Sequence, residues 1–278
     1  DEAQNLKRRT LMSPQLYASA YVFPFYPALQ ALRAAVLDGA IGNLRRLDLR
    51  YYHGWMGVRL ETAGNRSAGW RVDPRRCGAA GAVVDLAGSC AYLAEWATGR
   101  EIAALCAAGR PAVAGRLLDD DATILLRMDN GALGLIAVSQ IALGEADGVQ
   151  LHLYGDKASA HWSQAAANAW TLVTPDGKRE TQTPKAAPKP DPAPGRFGEP
   201  YGDDPAYLAA LAEAYRDFAQ TILAARDGKP REGLCVGVDP ALRVATFNAL
   251  AARSIAPGAD DAPAKWVDFA VPKVELLA

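Results

Sequence analysis

The sequence predicts an α/β chain of α+β character: a large open mixed, mainly antiparallel β-sheet with helices packed on one face. Three observations predict it. After Gly99, seven short apolar runs follow one another, several parted by turn residues such as Asn130-Gly131. Helical patterns stand before and after this block. Half of the 278 residues are apolar, which is enough for a substantial core.

The elements follow in chain order. DEAQNLKRR reads as a short helix, its acids in the first turn and Lys7, Arg8 and Arg9 behind them. A start without methionine reads as processed, trimmed, or one piece of a larger protein. LYASAYVF (16–23) reads as a strand, rich in aromatic and branched residues. PALQALRAAVLDGAIG reads as a helix, with Pro27 in its first turn, Leu29, Leu32 and Val36 on one face, and Gly39 to close it. NLRRLDLRYYHGW is a strand, residues 55–76 a polar loop, and GAVVDLAGSCAYLAEW (81–96) a helix. EIAALCA, AVAGRLL, DATILLRM, ALGLIAVSQIAL, GVQLHLYG, ASAHWS and NAWTLV are then strands of the sheet. The proline-rich stretch 183–205 reads as an extended surface loop, or as one that wraps a neighbour or covers a site. Two helices follow, about Ala206 to Ala225 and from Asp239-Pro240, an N-cap acid with proline behind it. KWVDFAV offers an edge strand.

Charge narrows the partners. Thirty basic and 31 acidic residues give a net charge of −1, with no long basic run. This favours neither nucleic acid nor an anionic membrane. No apolar run approaches the roughly 20 residues that span a bilayer, and no signal peptide is visible. Cys77, Cys90, Cys106 and Cys235 form no C-x-x-C pair and are too sparse for a disulfide scaffold, so a cytoplasmic protein is expected. Neither G-x-G-x-x-G nor G-x-x-x-x-G-K-[ST] occurs, so the chain lacks on its own the standard grip on a dinucleotide pyrophosphate.

The helix 81–96 holds the main candidates. Asp85, Ser89, Tyr92 and Trp96 share one stripe at helical spacing. A buried lone carboxylate is costly, so Asp85 needs a partner: a substrate hydroxyl, or a salt bridge to Arg71 or Arg75. Ser89 either donates to a substrate or lets a helix pack. Tyr92 and Trp96 either wall a sugar site or belong to the core. Arg71, which follows Trp70, is suited to bidentate ligand binding or to pairing with Asp73 or Asp85. His53, near Trp55, is a candidate acid–base group, while His152 and His161 fit an open or interface face. No histidine pair has metal spacing. Asp119, Asp120 and Asp121 read as a turn before a strand rather than a cation site.

Several segments together resemble the C-terminal domain of the Gfo/Idh/MocA oxidoreductases. They are FPFYPALQALRAAVLDGAIGNL, GWRVDP with GAAGAVVDLAGSCAYLAEWATG, DDDATILLRMDNGALGLIAVS, LHLYGDKASAHW and AYRDFAQTILAARDGKP. The resemblance implies one such domain over 1–278, without the family's Rossmann domain and its E-K-P lysine. It implies NAD or NADP in an intact protein, with neither expected to bind this chain alone. It also implies a sugar, cyclitol or polyol substrate and a homo-oligomer through the sheet face. The family's acid falls on Asp85, its histidine on Ser89 and its second acid on Tyr92. The arginine that often precedes the first proline helix falls on Pro24. The implied catalytic positions are therefore Asp85, Ser89 and Tyr92, and the candidate substrate contacts are Arg71, Trp70, His53 and Trp96. Serine is no general base without a neighbouring base. Three functions follow: the substrate and oligomerisation part of an oxidoreductase, a non-catalytic dimeric binding or scaffold protein, and a cofactor-independent keto-sugar lyase or isomerase.

Overall fold

The computed structural model describes residues 2–13, 15–145, 148–184, 205–230, 233–234, 237–255 and 265–271. Most of the proline-rich stretch 183–205 lies outside them. A nine-stranded sheet dominates, in the order β8-β7-β6-β5-β1-β4-β3-β2-β9. Its strands are β1 (Leu44–Tyr52), β2 (Ile102–Arg110), β3 (Asp121–Met128), β4 (Leu133–Ser139), β5 (Gly148–Gly155), β6 (Ser159–Ser163), β7 (Trp170–Val173), β8 (Arg179–Gln182) and β9 (Val267–Asp268). Every pairing is antiparallel except β1 with β4, which run parallel in the middle. Asn130-Gly131 makes the β3–β4 hairpin, with Gly131 at φ 84°, where glycine carries no Cβ penalty.

Alternation decides which face is covered. Leu47, Leu49, Ile124, Leu126, Ile136, Leu151 and Leu153 are fully buried on one side. Each contributes roughly 1.5–3 kcal/mol on leaving water. Against that side pack α2 (Pro27–Leu37), α5 (Gly88–Thr98) and α7 (Asp239–Ile255), with α5 over β1 between the other two. Close packing needs Gly88: a Cβ there would sit 2.7 Å from Val244 and 2.8 Å from Asn248 of α7. Trp162 fills the space beneath α2, edge-on to Tyr26 at 5.4 Å, and its indole N–H donates to Ala167 O at 3.2 Å. The opposite face carries exposed Thr123, Leu125, Arg127 and Leu133. The remaining helices are α1 (Glu2–Leu11), α3 (Arg66–Arg71), α4 (Pro74–Cys77) and α6 (Pro205–Arg226). Among the described residues no helix is long and apolar enough to cross a membrane.

Three expectations require correction. LYASAYVF is not a strand: it runs as irregular chain into a short 3₁₀ turn, Phe23–Phe25. Its aromatics stack instead of pairing in a ladder, Tyr21 on Tyr92 at 4.2 Å, and Pro24 removes a donor. AVAGRLL is a turn, because Gly115 adopts φ 83° and Arg116 is pulled inward by carboxylates. Residues 55–76 are not a plain loop: α3 is capped by Asn65, which accepts from Ala68 N, and α4 by Asp73, which accepts from Arg75 N. In turn, Arg179–Gln182 adds a strand that the sequence reading lacks.

Candidate functional site

The two parallel strands end side by side, Tyr52 opposite Ser139. His53 and Gln140 follow them directly. In open sheets, ligands gather beyond the carboxyl ends of parallel strands, and here the acid of the long helix reaches that edge.

Asp85 gets there through a local irregularity. Val83–Ala87 form a π-helical turn that runs into α5. A π-turn inserts more residues per turn than an α-helix, so it rotates everything before it about the axis, and such turns are frequent at functional sites. Asp85 meets Arg71 and Gln140, whereas Tyr92 and Trp96, further along the helix, line a separate cavity. Arg71 Nε donates to Asp85 Oδ2 at 2.8 Å, and Gln140 Nε2 donates to the same oxygen at 2.9 Å. Oδ1 accepts no hydrogen bond among the described residues, and the side chain is 11% exposed. One carboxylate oxygen is thus saturated while the other stays available.

Arg71 is itself held firmly. Its Nη1 donates to Ser67 O at 3.0 Å and to Ser67 Oγ at 2.9 Å. Its guanidinium lies 4.3 Å from the Trp70 ring centre and 5.4 Å from that of Trp55. His53 is buried and stacks on Trp55 at 5.6 Å. Asp85, Arg71, Gln140, Trp55, Trp70 and His53 therefore form one cluster. The Cys77 thiol is pushed up to about 11, first by burial and then by the charges of Asp85 and Asp119, with Arg71 pulling the other way.

Ser89 is half-buried and makes no side-chain hydrogen bond among the described residues. Tyr92 and Trp96 instead line a cavity of about 510 Å³ with Arg33, Arg243 and Phe247; neither Asp85 nor Ser89 is among its walls. Two of its charged groups are satisfied, since Arg243 grips Glu95 at 2.5 and 2.6 Å. Arg33 lies 5.1 Å over Trp96. At Asp85, by contrast, one carboxylate oxygen is left without a hydrogen-bond donor among the described residues.

One residue of the cluster, Gln140, and one outside it that holds the start of its helix, Asp119, escape sequence reasoning. Gln140 was absorbed into the run ALGLIAVSQIAL; the signal was a polar Ser-Gln pair ending an apolar strand. Asp119 was read as a turn acid, yet it is buried and hydrogen-bonded to the start of the Asp85 helix.

Comparison with known proteins agrees with this architecture. Residues 29–161 match the family model described as the GFO/IDH/MocA C-terminal domain. An uncharacterized oxidoreductase, YfiI of Bacillus subtilis (strain 168), is 29% identical over 172 residues, which cover 61% of this chain and 44% of that protein. The chain thus spans less than half the length of this curated relative. An inositol dehydrogenase homolog from Azotobacter vinelandii, solved with NAD+, superposes with a TM-score of 0.75 at 22% identity, over 96% of this chain and 69% of its own. A levoglucosan dehydrogenase solved with NADH and L-sorbose gives 0.75 at 19% identity, over 97% and 70%. At such identities the likeness speaks for the fold. Sequence match, strand order and helix placement agree: residues 29–161 are similar to the GFO/IDH/MocA C-terminal domain, and the chain as a whole shares the fold of these dehydrogenases.

Proposed function

We propose that this chain supplies the substrate-binding and subunit-associating part of an NAD(P)-dependent oxidoreductase that acts on a sugar, cyclitol or related polyol. The observation that carries the proposal is the half-satisfied Asp85 carboxylate. Two donors fix Oδ2, and Oδ1 is left to accept from a hydroxyl. The half-buried rings of Trp55 and Trp70 pack on Arg71 and so stand beside this acceptor, as walls for the C–H surfaces of a ring. Similar structures were solved in complex with myo-inositol and with levoglucosan, which supports a polyhydroxylated substrate.

In this reading Asp85 orients a substrate hydroxyl, and Arg71 and Gln140 keep the carboxylate from swinging away. Ser89 stands where the resemblance puts a histidine and has no base in hydrogen-bond reach among the described residues. Removal of the proton therefore falls to Asp85 or to a group beyond this cluster. The residues present do not fit a dinucleotide: the sequence holds no G-x-G, and among the described residues the one parallel pair sits among antiparallel strands. NAD(P), a hydride acceptor when bound, belongs in this proposal to residues outside the 278, and the protein as a whole to the cytoplasm.

The full-length protein, incubated with NAD+ or NADP+ and a polyol panel including myo-inositol and levoglucosan, is expected to form reduced nicotinamide. Asp85→Asn should lower that activity about a hundredfold, leaving a measurable residue. The missing base at Ser89 favours a second reading, a non-catalytic binding protein. Polyol binding that depends on Asp85, without turnover on any polyol by the unmodified protein, would establish that alternative instead.

A further inference from the structure

The acids Asp119 and Asp120 have no part in the cluster described above, yet the segments that carry Asp85 and Gln140 are bonded to them directly, and the segment that leads to Arg71 through Arg116. The Asp119 carboxylate accepts the Gly81 N–H at 2.7 Å and the Val83 N–H at 2.9 Å. Its own carbonyl accepts the Ala82 N–H at 2.8 Å. Three successive amides are thus gripped by one residue that is 6% exposed. The Asp85 amide in turn donates to Gly81 O at 3.0 Å.

Asp120 holds the other two arms. Its carbonyl accepts the Gln140 N–H at 2.8 Å. Its carboxylate accepts the amides of Ala112 and Val113 and binds Arg116 Nη1 at 3.1 Å. Arg116 reaches Val58 O and both oxygens of Glu61, in the segment that leads to Arg71. Gly81 permits the close approach: a Cβ there would lie 2.2 Å from the Asp119 carbonyl oxygen.

We propose that Asp119 is a positioning residue, which sets the first turn of the site helix so that the Asp85 carboxylate meets Arg71 and Gln140 and turns its second oxygen outward. The inference rests on the reading of Asp85 as the substrate-contacting group. A carboxylate is needed rather than an amide, because two backbone donors require two acceptors. Asparagine would offer one oxygen and turn its NH₂ against the remaining N–H. A buried donor left in that state costs far more than an ordinary hydrogen bond gains.

The test has an arm independent of turnover. In Asp119→Asn of the full-length protein, amides 82–89 should exchange with deuterium at least about tenfold faster, while β3 and β4 keep their protection. Unchanged protection at 82–89 overturns the clamp, whatever the kinetics do. The second arm uses NAD+ with myo-inositol or levoglucosan. Asp119→Asn and Gly81→Ala should each lower kcat about tenfold or more with KM for NAD+ unmoved, and Asp121→Asn should change neither. On an Asp85→Asn background, Asp119→Asn should cost little further. A full second loss there would make Asp119 merely structural and overturn the proposal. Absence of turnover in the unmodified protein, with exchange as expected, would remove the reading of the site and the positioning role with it, and leave only the clamp.

Discussion

Replacing Arg116 by methionine should destabilise the protein by about 3 kcal/mol. Its side chain is only 1% exposed and bridges Glu61 and Asp120, which are 12% and 2% exposed. Four contacts go: two to Glu61 at 3.2 Å, one to Asp120 at 3.1 Å and one to Val58 O at 3.0 Å. Breaking a buried pair by removing one partner costs roughly 3–5 kcal/mol, chiefly from the carboxylates left behind. The low end applies here. Asp120 keeps the amides of Ala112 and Val113, and Glu61 can lean on the half-exposed Arg59, 3.7 Å away. In a chain of this size, 3 kcal/mol lowers Tm by about 6–12 °C. Calorimetry and urea unfolding of Arg116→Met against Arg59→Met measure the difference. A loss under about 1 kcal/mol, or an equal loss for Arg59→Met, would refute the reasoning. Acid provides an internal control. Burial alone would raise the Glu61 carboxyl, but the hydrogen bonds and charge of Arg116, joined by a backbone hydrogen bond and the charge of Arg59, outweigh it, so the folded value lies below the ordinary one. That share of stability is present above the unfolded carboxylate value and is lost as pH falls through the folded one, so the gap between wild type and Arg116→Met should narrow in acid.

Other expectations concern the open sheet face. Thr181, Thr171, His161, His152, Asp48, Leu135, Leu125 and Cys106 form one register row across eight strands. Homo-association through that face predicts a dimer or larger form by light scattering at micromolar concentration, shifted towards monomer by Leu125→Glu; a wild-type monomer would count against it. His152 and His161 stack at 4.5 Å, and both titrate below the ordinary imidazole value. Burial is the main cause for each; Arg50 also lowers His152 against the opposite pull of Asp48, while His152 and Arg179 add to the lowering at His161. The unfolded chain then takes up these protons first, so stability should fall as pH drops from about 6.5 through the lower folded values. The urea midpoint should show that fall in wild type and a flatter course in His152→Gln/His161→Gln.

The sheet was legible because its strands alternate. In β3, Ala122, Ile124, Leu126 and Met128 point inward, and Thr123, Leu125 and Arg127 outward. The failures came where side-chain chemistry outweighed pattern. LYASAYVF has strand composition, but its tyrosine stacks on a helix. AVAGRLL looks apolar, yet Arg116 belongs to a buried ion network that no local window reveals. The Asp-Pro signal that marks α7 at Asp239-Pro240 also stands at Asp73-Pro74 and starts α4 there. In the site, the proximity of Asp85 and Arg71 was legible as one of several pairings. The π-turn was not: it depends on how Asp119 holds residues 81–83, 36 to 38 positions away in sequence.

Titrating the full-length, NAD+-loaded protein with myo-inositol and levoglucosan by calorimetry, and comparing Asp85→Ala with Trp96→Ala, bears most directly on where a polyol is received. Loss of a charge-assisted contact should weaken binding about tenfold or more in Asp85→Ala, with Trp96→Ala close to wild type. The reverse, binding untouched by Asp85→Ala and abolished by Trp96→Ala, would move the site to the cavity beside α7 and contradict the assignment.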